Sequence, residues 1–131
     1  MRVLITGAGR AIGAATAGVL QGHRCELIAT ARAVSLLDDV AADLRLALDV
    51  ADEESVRACI WAAGQIDELI NNAATSEAGP LERYPIDRFQ AVLETNVIGP
   101  LRMIQAVVPG MRDRGHGADH QGEFSRRAVA T

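Results

Sequence analysis

Eight residues near the start of the chain, Thr6-Gly7-Ala8-Gly9-Arg10-Ala11-Ile12-Gly13, join three glycines and two alanines to a single charged side chain. They lie between Val3-Leu4-Ile5, a run suited to a buried strand, and the alanine-rich stretch Ile12 to Leu20, long enough for a helix, with Gly22 placed to close it. A turn of this kind, leading from strand to helix, can hold a diphosphate. The first amides of a helix have no intrahelical partner, and its dipole puts positive potential at that end. A bulky side chain beside the phosphates would collide with them, so small residues line the turn. Gly7 and Gly9 would form it, Gly13 would let the helix close onto the sheet, and Arg10, Ala11 and Ile12 complete the candidate set. A second cation stands after the next strand, Cys25 to Thr30, where Ala31 is followed by Arg32. An acidic residue at this place accepts hydrogen bonds from the adenosine ribose in dinucleotide-binding folds, whereas an arginine pairs with a 2′-phosphate. Arg32, helped by Arg10, therefore points to NADP rather than NAD.

The elements needed to position these groups are legible in the rest of the chain. Apolar residues make up 49% of the sequence and the formal net charge is -4, which fits a folded domain and gives no electrostatic footprint for nucleic acid. Charges or turn residues interrupt every apolar run, so no membrane span or signal peptide is expected. Cys25 and Cys59 form no close pair and fit a reducing, cytoplasmic setting. Aromatics are scarce, so the core must come from Val, Leu, Ile and Ala, as in parallel strands beneath alanine-rich helices. The pattern predicts a short helix over Ala33 to Asp43 and a third strand over Leu44 to Leu48. It then predicts a helix over Glu53 to Ala63 with Asp52 as cap, and a fourth strand over Asp67 to Ile70. Asp87 to Met111 reads as the longest helix, kinked at Pro100 and ended by Pro109-Gly110. Strands alternating with helices imply an α/β, Rossmann-like three-layer α/β/α fold with a parallel sheet, for which the usual strand order is 3-2-1-4. Residues 1–114 form this partial domain, and 115–131, which show neither strand nor helix periodicity, are expected to be an irregular, disordered tail. His116 and His120 flank Asp119 at a spacing of four, but without a helical pattern or a second ligand pair they read as tail histidines and no metal site is assigned.

With these pieces placed, residues 1 to about 117 resemble the short-chain dehydrogenase/reductase family. The family's TGxxxGxG turn matches Thr6 to Gly13, with Ala11 where the middle glycine belongs and its methyl positioned to crowd a pyrophosphate. The family's acidic-aliphatic pair after the third strand, whose carboxylate approaches the adenine, matches Asp49-Val50. Its NNAG segment matches Asn71-Asn72-Ala73-Ala74, whose residues would frame the adenosine side of the cleft and steady the sheet. Thr95-Asn96, within Leu93 to Pro100, matches the family's helix asparagine, which holds a water in the proton relay, and makes Asn96 the one candidate catalytic residue. The resemblance also implies that the apolar stripe of the Asp87–Met111 helix packs either a homo-oligomer or the core alone.

The family's remaining catalytic groups, a serine past the fifth strand and a Tyr-x-x-x-Lys pair, find no place here. The one tyrosine, Tyr84, precedes the long helix, and the residue four further on is Arg88. Two readings follow. One is an NADP-dependent oxidoreductase acting on a small alcohol/ketone pair. The other is a catalytically inactive nucleotide-binding or interaction remnant, truncated or frameshifted after about residue 117. Back-translation of residues 118 onward, shifted by one base, can read Arg-Ile-Ile-Lys-Val-Ser-Ser, close to the strand and serine that the resemblance expects. Coding DNA whose alternate frame lacks a downstream Tyr-x-x-x-Lys would overturn the frameshift reading.

Overall fold

A computed structural model describes residues 1–121 and 128–129. Its elements run β1 (Arg2–Ile5), α1 (Ala11–Gln21), β2 (Glu26–Ala31), β3 (Leu44–Ala47), α2 (Glu53–Ala63), β4 (Glu68–Asn71), α3 (Ile86–Leu93), α4 (Gly99–Arg114), β5 (Ala118–Gln121) and β6 (Ala128–Val129). They form one sheet in the order β3-β2-β1-β4-β5-β6, parallel from β3 to β5. Alternation along each strand sends side chains to opposite faces and builds two cores. Leu4, Ile28 and Leu69 pack against Val56 and Cys59 of α2 and Met103, Val107 and Met111 of α4. Ile5, Leu27 and Ala29 pack against Ala17 of α1 and against Leu37 and Val40. The result is the expected α/β/α sandwich. Burial pushes the Cys59 thiol up to about 11, so it stays protonated and acts as a small core hydrophobe.

Three expectations change. The helix expected over Ala33 to Asp43 is only a single 3-10 turn, Val34–Leu37. Tertiary demands override the periodicity. The Asp43 carboxylate accepts from the Leu27 amide at 2.7 Å, and the Arg45 guanidinium donates to the carbonyls of Leu37 and Val40, so the chain is drawn straight into β3. The long helix does not end at Pro109-Gly110 but continues to Arg114. Met111 is fully buried, and Arg114 donates to the Ile66 carbonyl, which offsets the amide that Pro109 lacks. The sheet does not stop at β4. Ala118–Gln121, in the segment read as irregular, pairs in parallel with Glu68–Asn71, and Ala118–Asp119 pairs in turn with Ala128–Val129, antiparallel. The exposed amides and carbonyls of a β4 edge favour any strand that can reach them, and four residues are too few for polar letters to display a period. The remainder of the expected tail, 122–127 and 130–131, lies outside the described residues.

Asp67 ties the lower ends of β1, β4 and α4 together. Its carboxylate accepts from the Arg2 amide at 2.8 Å and the Gln65 side-chain amide at 3.0 Å, with Arg114 and His116 at 4.0 and 3.9 Å. The Gln65 hydrogen bond is the largest cause holding its pKa below the ordinary 3.8; partial burial opposes it, and the Arg2 amide and the two cations add to it. A carboxyl depressed in the folded state stabilises the fold above pH 3.8 and loses that contribution as pH falls through the lower folded value. Urea melts at a series of pH values should show Asp67→Asn less stable at neutral pH and with a shallower acid decline. Parallel curves for the two proteins would exclude this role.

Candidate functional site

The carboxyl ends of β1 to β4 open onto one cleft of about 850 Å³, a size typical of small-ligand sites. Its near wall is the turn between β1 and α1. Thr6, almost fully buried, accepts the Asn72 and Ala73 amides on its hydroxyl at 3.0 and 2.9 Å. The Asn72 side chain donates to the Gly7 carbonyl at 3.0 Å, and the Ala8 amide donates to Thr30 O at 2.9 Å. The turn is thus pinned to β4 on one side and β2 on the other. Gly7 has φ +66°, and a Cβ there would sit 2.8 Å from Ala73 Cα; a Cβ on Gly13 would collide with the Gly7 carbonyl. Both glycines serve chain-to-chain approach within the protein, which brings the α1 amides to the mouth of the cleft.

Every residue singled out from the sequence lines this cleft. Gly9, Arg10, Ala11 and Ile12 stand with Gly7 and Gly13 at the turn. Arg32 lies exposed at the end of β2, and Asp49 and Val50 follow β3. Asn72, Ala73 and Ala74 follow β4, and Thr95 and Asn96 come from the long helix. The Asp49 carboxylate accepts from the Ala51 amide at 3.0 Å, which orients it, while Val50 is buried where α4 crosses closest, at Gly99. Asn71, also expected to frame the cleft, lines it as well, as do Ala31, Leu36, Leu48, Thr75 and Pro100, which were not singled out. Their signal is positional only, since each adjoins a strand end or a residue already chosen.

Two features were not readable in advance. Ala11 has φ +49°, the one non-glycine residue among those described in the left-handed region. The methyl that replaces the resembling family's glycine is therefore carried in a conformation that disfavours a Cβ. Asn96 sits in a π-helical turn, Glu94–Ile98, between α3 and α4, and each end of its side-chain amide bonds the backbone of one residue. Its Oδ1 accepts from the Thr75 amide and its Nδ2 donates to the Thr75 carbonyl, both at 2.8 Å. This clamp fixes the segment leaving β4 against the helix, so Asn96 positions one wall of the cleft.

Among the described residues, none that lines the cleft is a serine, tyrosine, lysine or histidine. All 13 basic residues of the chain are arginines, so a tyrosine–lysine pair cannot be assembled from it. Tyr84 is outside the cleft lining and donates its hydroxyl to Glu77, which also receives Arg88 at 3.0 Å. Among the described residues no group of three or more His, Cys, Asp or Glu side chains converges to hold a metal ion, and no helix is long and apolar enough to cross a membrane.

The comparisons agree with this geometry. The model of the short chain dehydrogenase family matches residues 1–118. A fatty acyl-CoA reductase of Mycobacterium tuberculosis is 37% identical over 131 aligned residues, covering 88% of this chain and 44% of that protein. A putative short-chain alcohol dehydrogenase from Sinorhizobium meliloti superposes with TM-score 0.83 at 30% identity, over 92% of this chain and 52% of the other. A metagenomic short-chain oxidoreductase solved in complex with NADP gives 0.84 at 26% identity, over 92% and 61%. The chain spans about half the length of these relatives. The expectation of an alcohol/ketone oxidoreductase is corrected accordingly. These 131 residues share the fold of such enzymes but bring no serine–tyrosine–lysine set to the cleft.

The strain at Ala11 has a measurable consequence. Glycine elsewhere in a helix costs about 1 kcal/mol relative to alanine, but at a left-handed position relief of a comparable or larger cost offsets this. Ala11→Gly should leave stability unchanged or raise it by up to about 1 kcal/mol, while Ala14→Gly, in the body of α1, lowers it by about 1 kcal/mol. Equal losses in denaturant melts of the two variants would rule out strain at Ala11.

Proposed function

Because the chain belongs to the short-chain dehydrogenase family, we propose that it binds a nicotinamide adenine dinucleotide, NADP in preference to NAD, and holds it without turning over an alcohol or ketone. The observation that carries this reading is the single cleft in which the pinned glycine turn, Arg10, Arg32 and Asp49 meet at the ends of β1, β2 and β3. The dinucleotide fits the groups present. The turn and the first amides of α1 would hold the diphosphate, Arg32 and Arg10 the 2′-phosphate, and Asp49 with Leu36 and Leu48 the adenosine. When bound, the dinucleotide would supply a hydride-carrying ring, and among the described residues the cleft lining holds no serine, tyrosine, lysine or histidine to move the accompanying proton. The metagenomic relative solved with NADP supports the choice of cofactor class.

A cytoplasmic setting suits the two free thiols. The apolar stripe Ile86, Phe89, Leu93 and Val97, exposed along the long helix, supports self-association through Asp87–Met111.

Calorimetric titration with NADPH and NADH tests the central reading. NADPH should bind the more tightly, and Arg32→Ala should weaken NADPH by about tenfold or more, the worth of one charge-assisted hydrogen bond, with little effect on NADH. No ketone in a panel should be reduced by the loaded protein, and sedimentation of the same samples reads the association. Absence of binding by either dinucleotide would sink the proposal, and steady turnover of any ketone would sink its non-catalytic part.

A further inference from the structure

The long helix reaches both lips of the cleft from one turn. On the β4 side the Asn96 amide holds the Thr75 backbone. On the β3 side the link is Arg102, near the start of α4. Its Nη1 donates to the Val50 carbonyl at 3.3 Å, and its Nη2 donates to the Glu94 carboxylate at 2.6 Å. Glu94 opens the same π-helical turn that carries Asn96. The Arg102 side chain is 23% exposed and that of Glu94 42%, so the ion pair contributes direction to the guanidinium fork more than energy to the fold.

The Val50 carbonyl belongs to the peptide unit between Val50 and Ala51. The N–H of that unit, the Ala51 amide, donates to Asp49 Oδ1 at 3.0 Å. A peptide unit is planar, so a hold on its oxygen also fixes the direction of its N–H. Arg102 thereby grips one end of the group whose other end orients the Asp49 carboxylate. From below, the Asp49 amide donates to the Ser55 hydroxyl at 2.8 Å, which anchors the main chain but not the side chain. With Oδ1 committed to Ala51, Oδ2 is left for a ligand in the cleft that Asp49 lines.

Resting on the nucleotide binding proposed above, we infer that Arg102, held by Glu94, is a positioning residue for Asp49, and that through it the π-helical turn sets how the site reads the adenine. An ionised carboxylate only accepts hydrogen bonds, and the exocyclic amino group is the one donor on an adenine base. Without Arg102 the peptide unit is free to rotate, and the carboxylate loses its fixed direction. The contacts proposed for the phosphates lie at the glycine turn and at Arg32 after β2, and they do not pass through this unit.

The test is calorimetry on the full chain with NADPH and with its hypoxanthine analogue, in which a carbonyl oxygen replaces the amino group. The unsubstituted protein should bind NADPH about fivefold or more tightly than the analogue. Arg102→Ala should reduce that preference to within about twofold, by weakening NADPH and leaving the analogue almost unchanged. Asp49→Ala should do the same, and the double variant should lose no more than either single one. A role confined to holding the helix would weaken both ligands alike; that outcome, or an undiminished preference, overturns the inference. If Arg102→Ala melts as a poorly folded protein, Glu94→Ala, at the more exposed end of the pair, must lower the same preference, and an unchanged preference there is equally fatal. NADPH and analogue bound equally by the unsubstituted protein overturn the inference while leaving nucleotide binding intact. Failure of both ligands to bind overturns the inference and the reading beneath it.

Discussion

The molecule depends on how closely the backbone leaving β1 approaches the backbone leaving β4. One hydroxyl, Thr6 Oγ1, receives two amides from the β4 exit, and one side-chain amide, Asn72 Nδ2, returns a hydrogen bond to Gly7. Between these bonds there is no room for a Cβ at Gly7 or Gly13. A network in which buried polar groups are satisfied by one another costs little, whereas loss of a single member leaves the others unpaired in a dry environment. That asymmetry makes the corner rigid. Rigidity there aims the open end of α1, places Arg10 at the mouth, and sets the distance to Arg32 across β2.

The proposed binding calls on the same corner, and it asks for a different kind of group than proton transfer does. Binding a diphosphate calls on main-chain amides and on cations that need not titrate, which glycine and arginine supply. Moving a proton calls on a group whose pKa can be tuned and which reaches the reacting atom. A chain with arginine as its sole basic residue besides histidine has the first kind of group in abundance and lacks the lysine chemistry of the second. Ala11 places a methyl, in a disfavoured conformation, in the lining of the cleft.

Legibility in the sequence followed the locality of the physics. The turn from Thr6 to Gly13 could be read because steric demands at the corner are met by residue type alone. The α2 cap at Asp52, which accepts from the Glu54 amide, was equally local. The stretch after Arg32 misled because Leu36, Leu37 and Val40 carry a helical spacing, yet Asp43 and Arg45 bind distant or recently passed backbone and pull the chain extended. Pro109 misled because its local penalty is offset by Met111 and Arg114, whose partners lie far away in sequence. The strand β5 left almost no trace, since Ala118 to Gln121 pair through main-chain groups that every residue possesses. The Asn96 clamp and the left-handed Ala11 are properties of backbone shape, and no composition or period announces them.

The π-helical turn at Glu94–Ile98 carries one residue more than an α-helix would need over the same span. On its far side Met103, Val107 and Met111 face the core, and on its near side Asn96 faces Thr75. An α-helix advances about 100° per residue, so removing the spare residue from this turn would leave a regular helix whose two ends keep their relative rotation, whereas removing one from the α-helical turns on either side would swing the core face away from the amide clamp by about that angle. The π-turn is thus where this helix can lose a position without losing phase.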